Sequence, residues 1–330
     1  MVHRWQCDSP TGVDSLRWVE MPSYTPGPDE ALIAICAASL NFPDLLVVAG
    51  QYQWKPKPPF TPGTEFAGIV VALGPGTNGV AVGDWVMTVA TTGGFATHAC
   101  VAAHRLKPVP RGMTALEASV LLVAYGTAYH GLIDRGELRA GETVLVLGAA
   151  GGVGTAAIQV ARAAGAHVIA AVSSDAKATL CRSLGANATI NYSTENLRDA
   201  LRSLTPEGPD VIFDPVGGVL AEPAFRSIAW RGRYLVIGFA GGQIPRLPLN
   251  LALLKGASLV GVFWGDFDTR EPQASRELIA KLALGHAAGW LRPVIDRVRP
   301  MCELPSAFAL MASRGAMGKI VLINESATLR

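Results

Sequence analysis

Two rhythms of apolar and polar positions divide the chain. Up to about residue 120, short apolar runs such as Ala31–Ala37, Glu65–Leu73 and Trp85–Val89 are separated by turn signals, among them Thr61-Pro62-Gly63 and Gly74-Pro75-Gly76. Runs at that spacing predict an irregular, barrel-like β domain. Thr114–Leu122 departs from it: Thr114 and Glu117 make a capping box ahead of an apolar run, which predicts a helix start. From about Val123 the pattern changes to alternating strands and helices. Strands are predicted at Thr143–Leu147, His167–Val172, Ala188–Ile190, Val211–Asp214, Arg233–Ile237 and Ser258–Phe263. Helices are predicted between and after them at Val153–Ala164, Asp175–Leu184, Thr194–Leu204, Leu220–Ala229 and Arg276–His286. Such alternation predicts an α/β fold with a doubly wound parallel sheet. Near Leu291 the short strands return, at Val294–Val298 and Lys319–Ile323, around a helix at Leu304–Arg314. The rhythm thus marks off segments 1–123, 124–289 and 290–330.

Composition narrows the classes. The chain has 330 residues, 50% hydrophobic and 16% charged, with a formal net charge of +2. That balance fits a folded chain of about two domains and gives no basic surface for nucleic acid. The cysteines stand singly at 7, 36, 100, 181 and 302, which suits a reducing compartment better than a disulfide framework. The N-terminal residues lack the apolar core of a signal peptide. Thr143–Ala161 carries no charge, but Gly148, Gly151, Gly152 and Gly154 crowd its middle, so it reads as strand, turn and helix. A cytoplasmic protein that does not span a membrane is expected.

The sharpest motif is the run Val144-Leu-Val-Leu-Gly148-Ala-Ala-Gly151-Gly152-Val153-Gly154. A buried strand runs straight into spaced glycines and then a helix. Dinucleotide folds need that context: missing side chains let the backbone approach a pyrophosphate, and the helix N-terminus offers free N–H groups. The next predicted strand ends in Ser173-Ser174-Asp175-Ala176-Lys177. NAD sites place a carboxylate at such a strand end for the ribose hydroxyl. Here the end is the uncharged Ser173, and Lys177 lies within reach of a 2′-phosphate, so NADPH is favoured. Asp175 is the competing residue, because it could meet the ribose instead. Ser173 or Ser174 could equally serve as a helix cap.

Several segments together resemble the zinc-free quinone oxidoreductase (zeta-crystallin-like) branch of the medium-chain dehydrogenase/reductase superfamily. They are Leu40-Asn41-Phe42-Pro43-Asp44, Pro62-Gly63-Thr64-Glu65-Phe66-Ala67-Gly68, Gly83-Asp84-Trp85-Val86, Gly148–Gly154, Ser173-Ser174-x-x-Lys177, Ile190-Asn191-Tyr192 and Gly318-Lys319-Ile320-Val321-Leu322. The resemblance implies a GroES-like catalytic domain built from both chain ends, with a Rossmann domain between them. It implies Gly151, Gly152 and Val153 at the pyrophosphate, and Ser173, Ser174, Lys177, Tyr192 and Arg314 around the 2′-phosphate. Asn41 and Thr127 would approach the nicotinamide, walled by Gly238-Phe239-Ala240 and Phe263-Trp264-Gly265. Plain structural readings stay open beside these: Asn41 as a turn former, Thr127 as a packed helix residue, Tyr192 as a strand-end aromatic and Arg314 as a solvated helix end.

Zinc relatives carry a cysteine near the Leu40-Asn41 position and Gly-His-Glu after the proline turn. This chain has Asn41 and Gly63-Thr64-Glu65, and its six histidines show no ligand-like pairing, so no metal is expected. The expected chemistry is zinc-independent hydride transfer from NADPH to a quinone or another conjugated carbonyl. Tyr52 is the candidate proton donor or orienting hydroxyl, against a reading as a pocket-lining aromatic. Asn41 is a candidate partner of the acceptor oxygen. Two alternatives remain: an enoyl- or acryloyl-CoA reductase, and a non-catalytic NADPH-binding structural or RNA-contacting protein. The apolar strand Ser258–Phe263 should lie at a sheet edge, where pairing with a second copy would give a homodimer. The resemblance implies the same.

Overall fold

The computed structural model describes residues Met1–Asn324. Fifteen strands follow one another along them. The first seven are β1 (Val2–Cys7), β2 (Leu16–Met21), β3 (Glu30–Ser39), β4 (Glu65–Leu73), β5 (Trp85–Val89), β6 (His98–Ala102) and β7 (Lys107–Pro108). Next come β8 (Thr143–Leu147), β9 (His167–Val172), β10 (Ala188–Asn191), β11 (Val211–Asp214), β12 (Arg233–Val236) and β13 (Ser258–Gly261). The last two are β14 (Ile295–Pro300) and β15 (Lys319–Ile323). Two compact units result: Met1–Val123 with the chain from Ile295, and Ala124–Val294.

In the first unit a seven-stranded sheet runs β14-β15-β3-β4-β5-β7, with β6 also on β3, and β1 and β2 form an antiparallel pair. Eight of β3's ten residues are buried, because strands and helices cover it on both faces; hence its near-continuous apolar sequence. Ile33 and Ile35 are fully buried in a core with Phe66, Phe95 and Phe308, the last two meeting edge to face. Each such side chain contributes about 1.5–3 kcal/mol of transfer free energy. The late strand β15 pairs antiparallel with the end of β3, Val321 opposite Ser39, and Leu40 N donates to Ile320 O. That pairing carries Lys319 to the start of the helix Phe42–Val48, whose N-cap is Asn41.

The second unit is a six-stranded, all-parallel sheet in the order β10-β9-β8-β11-β12-β13. The chain steps outward from β8 to β10, then returns to β11. In such sheets ligands bind at the carboxyl ends of the strands beside this reversal. The predicted helix at Thr194 begins only at Leu197, because the Asn196 side chain caps it by accepting from Arg198 N and Asp199 N. The stretch predicted as one helix over Leu220–Ala229 is a 3-10 turn, Gly218–Leu220, followed by a helix ending at Arg226. β13 stops at Gly261 rather than Phe263, and short helices at Asn250–Lys255 and Trp264–Arg270 flank it. No helix among the described residues is long and apolar enough to cross a membrane.

Candidate active site

In the second unit β8 is almost wholly buried and ends at Gly148, which takes φ +58. Gly151 is the N-cap of the helix Gly152–Ala163 and has no side chain to fill its first turn. At Gly154 a Cβ would lie 2.5 Å from Gly148 O and 2.7 Å from Ala149, so only glycine lets helix and turn pack this closely. The result is a backbone cradle whose N–H groups and helix dipole suit a pyrophosphate.

At the end of β9 the Lys177 ammonium donates to Ser173 Oγ at 3.1 Å, and Ser174 caps the helix through Lys177 N. Asp175 is exposed beside them, but engaged: its Oδ1 accepts from Asn191 Nδ2 at 2.9 Å. Tyr192 follows on the next strand end, with its N–H on Val172 O, and the Ser193 hydroxyl donates to Ser173 O. Ser173, Ser174, Lys177 and Tyr192 are thus one cluster, with a cation held against a serine hydroxyl.

Further along the strand ends, Asp214 organises the turn after β11. Its Oδ1 accepts from Val216 N and Gly217 N, both at 2.8 Å, and its Oδ2 accepts a short bond from Tyr234 OH. Burial pushes the Asp214 carboxyl up, against the pull of Tyr234 and the two amides. The following turn is tied to it: Gly238 N donates to Asp214 O and Ala240 N to Pro215 O. Phe239 faces Gly217, where a Cβ would approach its ring to 2.9 Å. Trp264 is buried, while Phe263 beside it is half exposed. The Trp264 ring fills the space that only Gly126 leaves, a Cβ there lying 2.7 Å from it, and lies near His130, which stacks on Phe267. Thr127 is buried in the short helix Gly126–Tyr129, between two π-helical turns.

The first unit holds a buried charged cluster. Lys319 Nζ donates to Asn41 Oδ1 at 2.5 Å and to Leu40 O at 2.9 Å, and lies 3.5 Å from Glu65 Oε2. Glu65 Oε2 also accepts from Ser39 Oγ (2.7 Å) and Asn41 Nδ2 (3.2 Å), and its Oε1 from Val123 N (2.7 Å). The Asn41 carboxamide is therefore gripped at both ends. Polarised by the ammonium, its remaining N–H is a strengthened donor. Burial pulls Lys319 down, opposed by Glu65 and Asp44.

Asp44 Oδ2 accepts from Asn41 N at 2.8 Å, and its Oδ1 has no well-formed hydrogen bond among the described residues. Burial pushes the Asp44 carboxyl up to about 7, against Asn41 N–H, the Thr64 hydroxyl and Lys319. Tyr52 packs half buried at the edge of this core; burial first, then the Asp44 charge, raises its phenol. Arg314 follows the helix Leu304–Ala312 with φ +57, exposed at the helix end.

Glu65, Lys319, Asp44, Asp214 and Tyr234 were not among the residues singled out from the sequence. Glu65 and Lys319 sit in motifs that carry the resemblance, but nothing local pairs them. Asp214 and Tyr234 read simply as strand residues.

Comparison with known proteins places these features in a family. Residues 27–111 match the alcohol dehydrogenase GroES-like domain, and residues 152–282 match the zinc-binding dehydrogenase domain. A quinone oxidoreductase-like protein 2 homolog of Nematostella vectensis is 37% identical over 90% of this chain and 82% of its own length. A probable oxidoreductase from Mycobacterium abscessus superposes with TM-score 0.87 at 37% identity, covering 98% of both chains. Escherichia coli quinone oxidoreductase, solved in complex with NADPH, superposes with TM-score 0.90 at 26% identity, over 97% of this chain and 99% of that one. The chain is an oxidoreductase of the medium-chain dehydrogenase/reductase superfamily and belongs to its quinone oxidoreductase-like branch.

Proposed function

We propose that this enzyme uses NADPH to reduce quinones or other conjugated carbonyls, without zinc. The observation that carries the cofactor choice is the end of β9, where the Lys177 ammonium rests on Ser173 while Asp175 is engaged by Asn191. A cation beside an uncharged strand end complements a 2′-phosphate, and the NADPH complex of the Escherichia coli relative supports the same reading. Gly151, Gly152 and Val153 would hold the pyrophosphate, with Ser173, Ser174, Lys177 and Tyr192 at the 2′-phosphate. Thr127, Gly238-Phe239-Ala240 and Phe263-Trp264-Gly265 would serve the nicotinamide end. Asn41 and Arg314, in the first unit, keep the roles the resemblance gives them, at the nicotinamide and at the 2′-phosphate.

When bound, NADPH supplies a hydride from nicotinamide C4, so quinone, NADPH and a proton give hydroquinone and NADP⁺. The chain's own task is to orient the acceptor and deliver that proton. The polarised Asn41 N–H suits the acceptor oxygen. The Tyr52 phenol, raised and so protonated at neutral pH, is the proposed donor or orienting hydroxyl. Independence from zinc is supported by what stands at the metal position of zinc relatives: Asn41 and Thr64 in place of cysteine and histidine, with a buried ammonium already bonded to Asn41. The five free cysteines suit a reducing compartment such as the cytoplasm.

One observation favours reduction of a CoA thioester instead. A groove of about 860 Å³ in the second unit, lined by Arg198 and Arg246 and by an Arg226 already paired with Glu222, could take CoA phosphates. A panel of acceptors separates the readings: a small quinone, a bulky quinone, a simple enone and crotonyl-CoA, each with NADPH. Turnover of quinones or the enone is expected, unaffected by a zinc chelator. Turnover confined to crotonyl-CoA would move the enzyme to the thioester class. Tight NADPH binding without any turnover would mean that the acceptor lies outside this panel or that the chain is a non-catalytic binder.

A further inference from the structure

Asp175 stands where a carboxylate would be costly beside a 2′-phosphate and useful beside a ribose hydroxyl. Its surroundings show how the chain avoids both. β10 pairs parallel with β9, and the register sets Asn191 opposite Val172, one residue before the Ser173 strand end. Asn191 is buried, and every polar group of it is committed. Its backbone N–H donates to Glu195 Oε1 at 2.8 Å, and its Oδ1 accepts from Ser193 N at 3.2 Å. Because Ser193 N–H needs an acceptor, the carboxamide can only be turned with its NH₂ toward Asp175, where the 2.9 Å bond forms. Lys177 meanwhile reaches back to Ser173.

Resting on the NADPH reading, we infer that Asn191 is a specificity-determining positioning residue: it holds the Asp175 carboxylate against β10, so that Ser173 and Lys177 rather than Asp175 meet the cofactor's adenosine ribose. It touches no reacting atom. It acts through Asp175, and its loss frees a carboxylate that repels a phosphate and accepts from a ribose hydroxyl.

The test is a fluorescence or calorimetric titration of the full-length protein with NADPH and with NADH. The proteins compared are wild type, Asn191→Leu, Asp175→Asn and the double variant. Asn191→Ser makes the same comparison with a smaller, polar side chain should leucine prevent folding. Removing the clamp is expected to lower the NADPH:NADH affinity ratio at least about five-fold, the scale of one hydrogen bond, with NADH binding itself growing tighter. Asp175→Asn should keep or raise the wild-type preference, and the double variant should match it. Equal weakening toward both cofactors would mean that Asn191 is merely structural, and would overturn the inference. An unchanged ratio would overturn it too. A wild type without preference for NADPH would remove the cofactor reading and the clamp with it, whereas a preference that survives every substitution removes the clamp alone.

Discussion

Lys319 is the side chain whose loss should be felt most. Its ammonium meets three acceptors in a site that excludes water, and Glu65 beside it keeps its own charge compensated. Lys319→Met strands that carboxylate, and a broken buried pair costs about 3–5 kcal/mol in chemical unfolding. Adding Glu65→Gln should recover part of the loss, because the stranded Glu65 carboxylate is then gone. An unchanged unfolding midpoint in the single variant would contradict the burial. Asp44 gives the same cluster a pH signature. Its native carboxyl titrates near 7, well above the roughly 3.9 of an unfolded chain, so the native state holds the proton longer. Its contribution is full at acid pH and is lost as pH rises through 7. Wild-type Tm should therefore fall between about pH 4 and 7 more than that of Asp44→Asn, and parallel profiles would refute the shift. Little of this cluster was legible in the sequence. Glu65 and Lys319 each open an apolar strand, where a charge reads as a solvated end, and 254 residues separate them. Ser173 and Lys177 were legible because strand-end spacing alone places them. The engagement of Asp175 was not, since Asn191 reaches it only through the pairing of β9 with β10.

Helix and strand meet most tightly at Gly154. Gly154→Val would drive a side chain into Gly148 O and Ala149, lifting the helix from the turn. Overpacking of this kind costs about 1–3 kcal/mol, and the displaced N–H groups should weaken NADPH binding as well. Thermal unfolding together with an NADPH titration checks both; a stable variant with wild-type affinity would show that the turn tolerates the shift. Here the sequence was informative, because strand, glycines and helix are contiguous and their periods differ sharply. It was less so for Asn250–Lys255 and Trp264–Arg270, helices of six and seven residues that are too short to display a period. The burial of Trp264 against Gly126 depends on a partner 138 positions away in numbering (264 less 126), which no local pattern carries.

For the molecule as a whole, the outermost strand β13 leaves a sheet edge with Leu259 partly exposed, and Trp230, Leu249, Leu253 and Leu254 stand largely in solvent. An apolar edge of this kind invites a second copy. A homodimer through it is proposed, with light scattering expected to give twice the chain mass for wild type and the chain mass for Leu253→Glu. A monomeric wild type would remove the proposal. The class of the parallel sheet was legible from alternation alone. The tail's return to the first unit was expected from the resemblance; that β15 pairs with β3 was not legible, because pairing between distant strands leaves no mark on either one. What the enzyme does with this fold turns on its cofactor. The most direct measurement is kcat/KM for NADPH against NADH, with a small quinone as acceptor. A preference for NADPH of at least tenfold, about 1.4 kcal/mol in transition-state free energy, is expected from the Ser173–Lys177 end of β9. Equal use of the two, or a preference for NADH, would contradict the account.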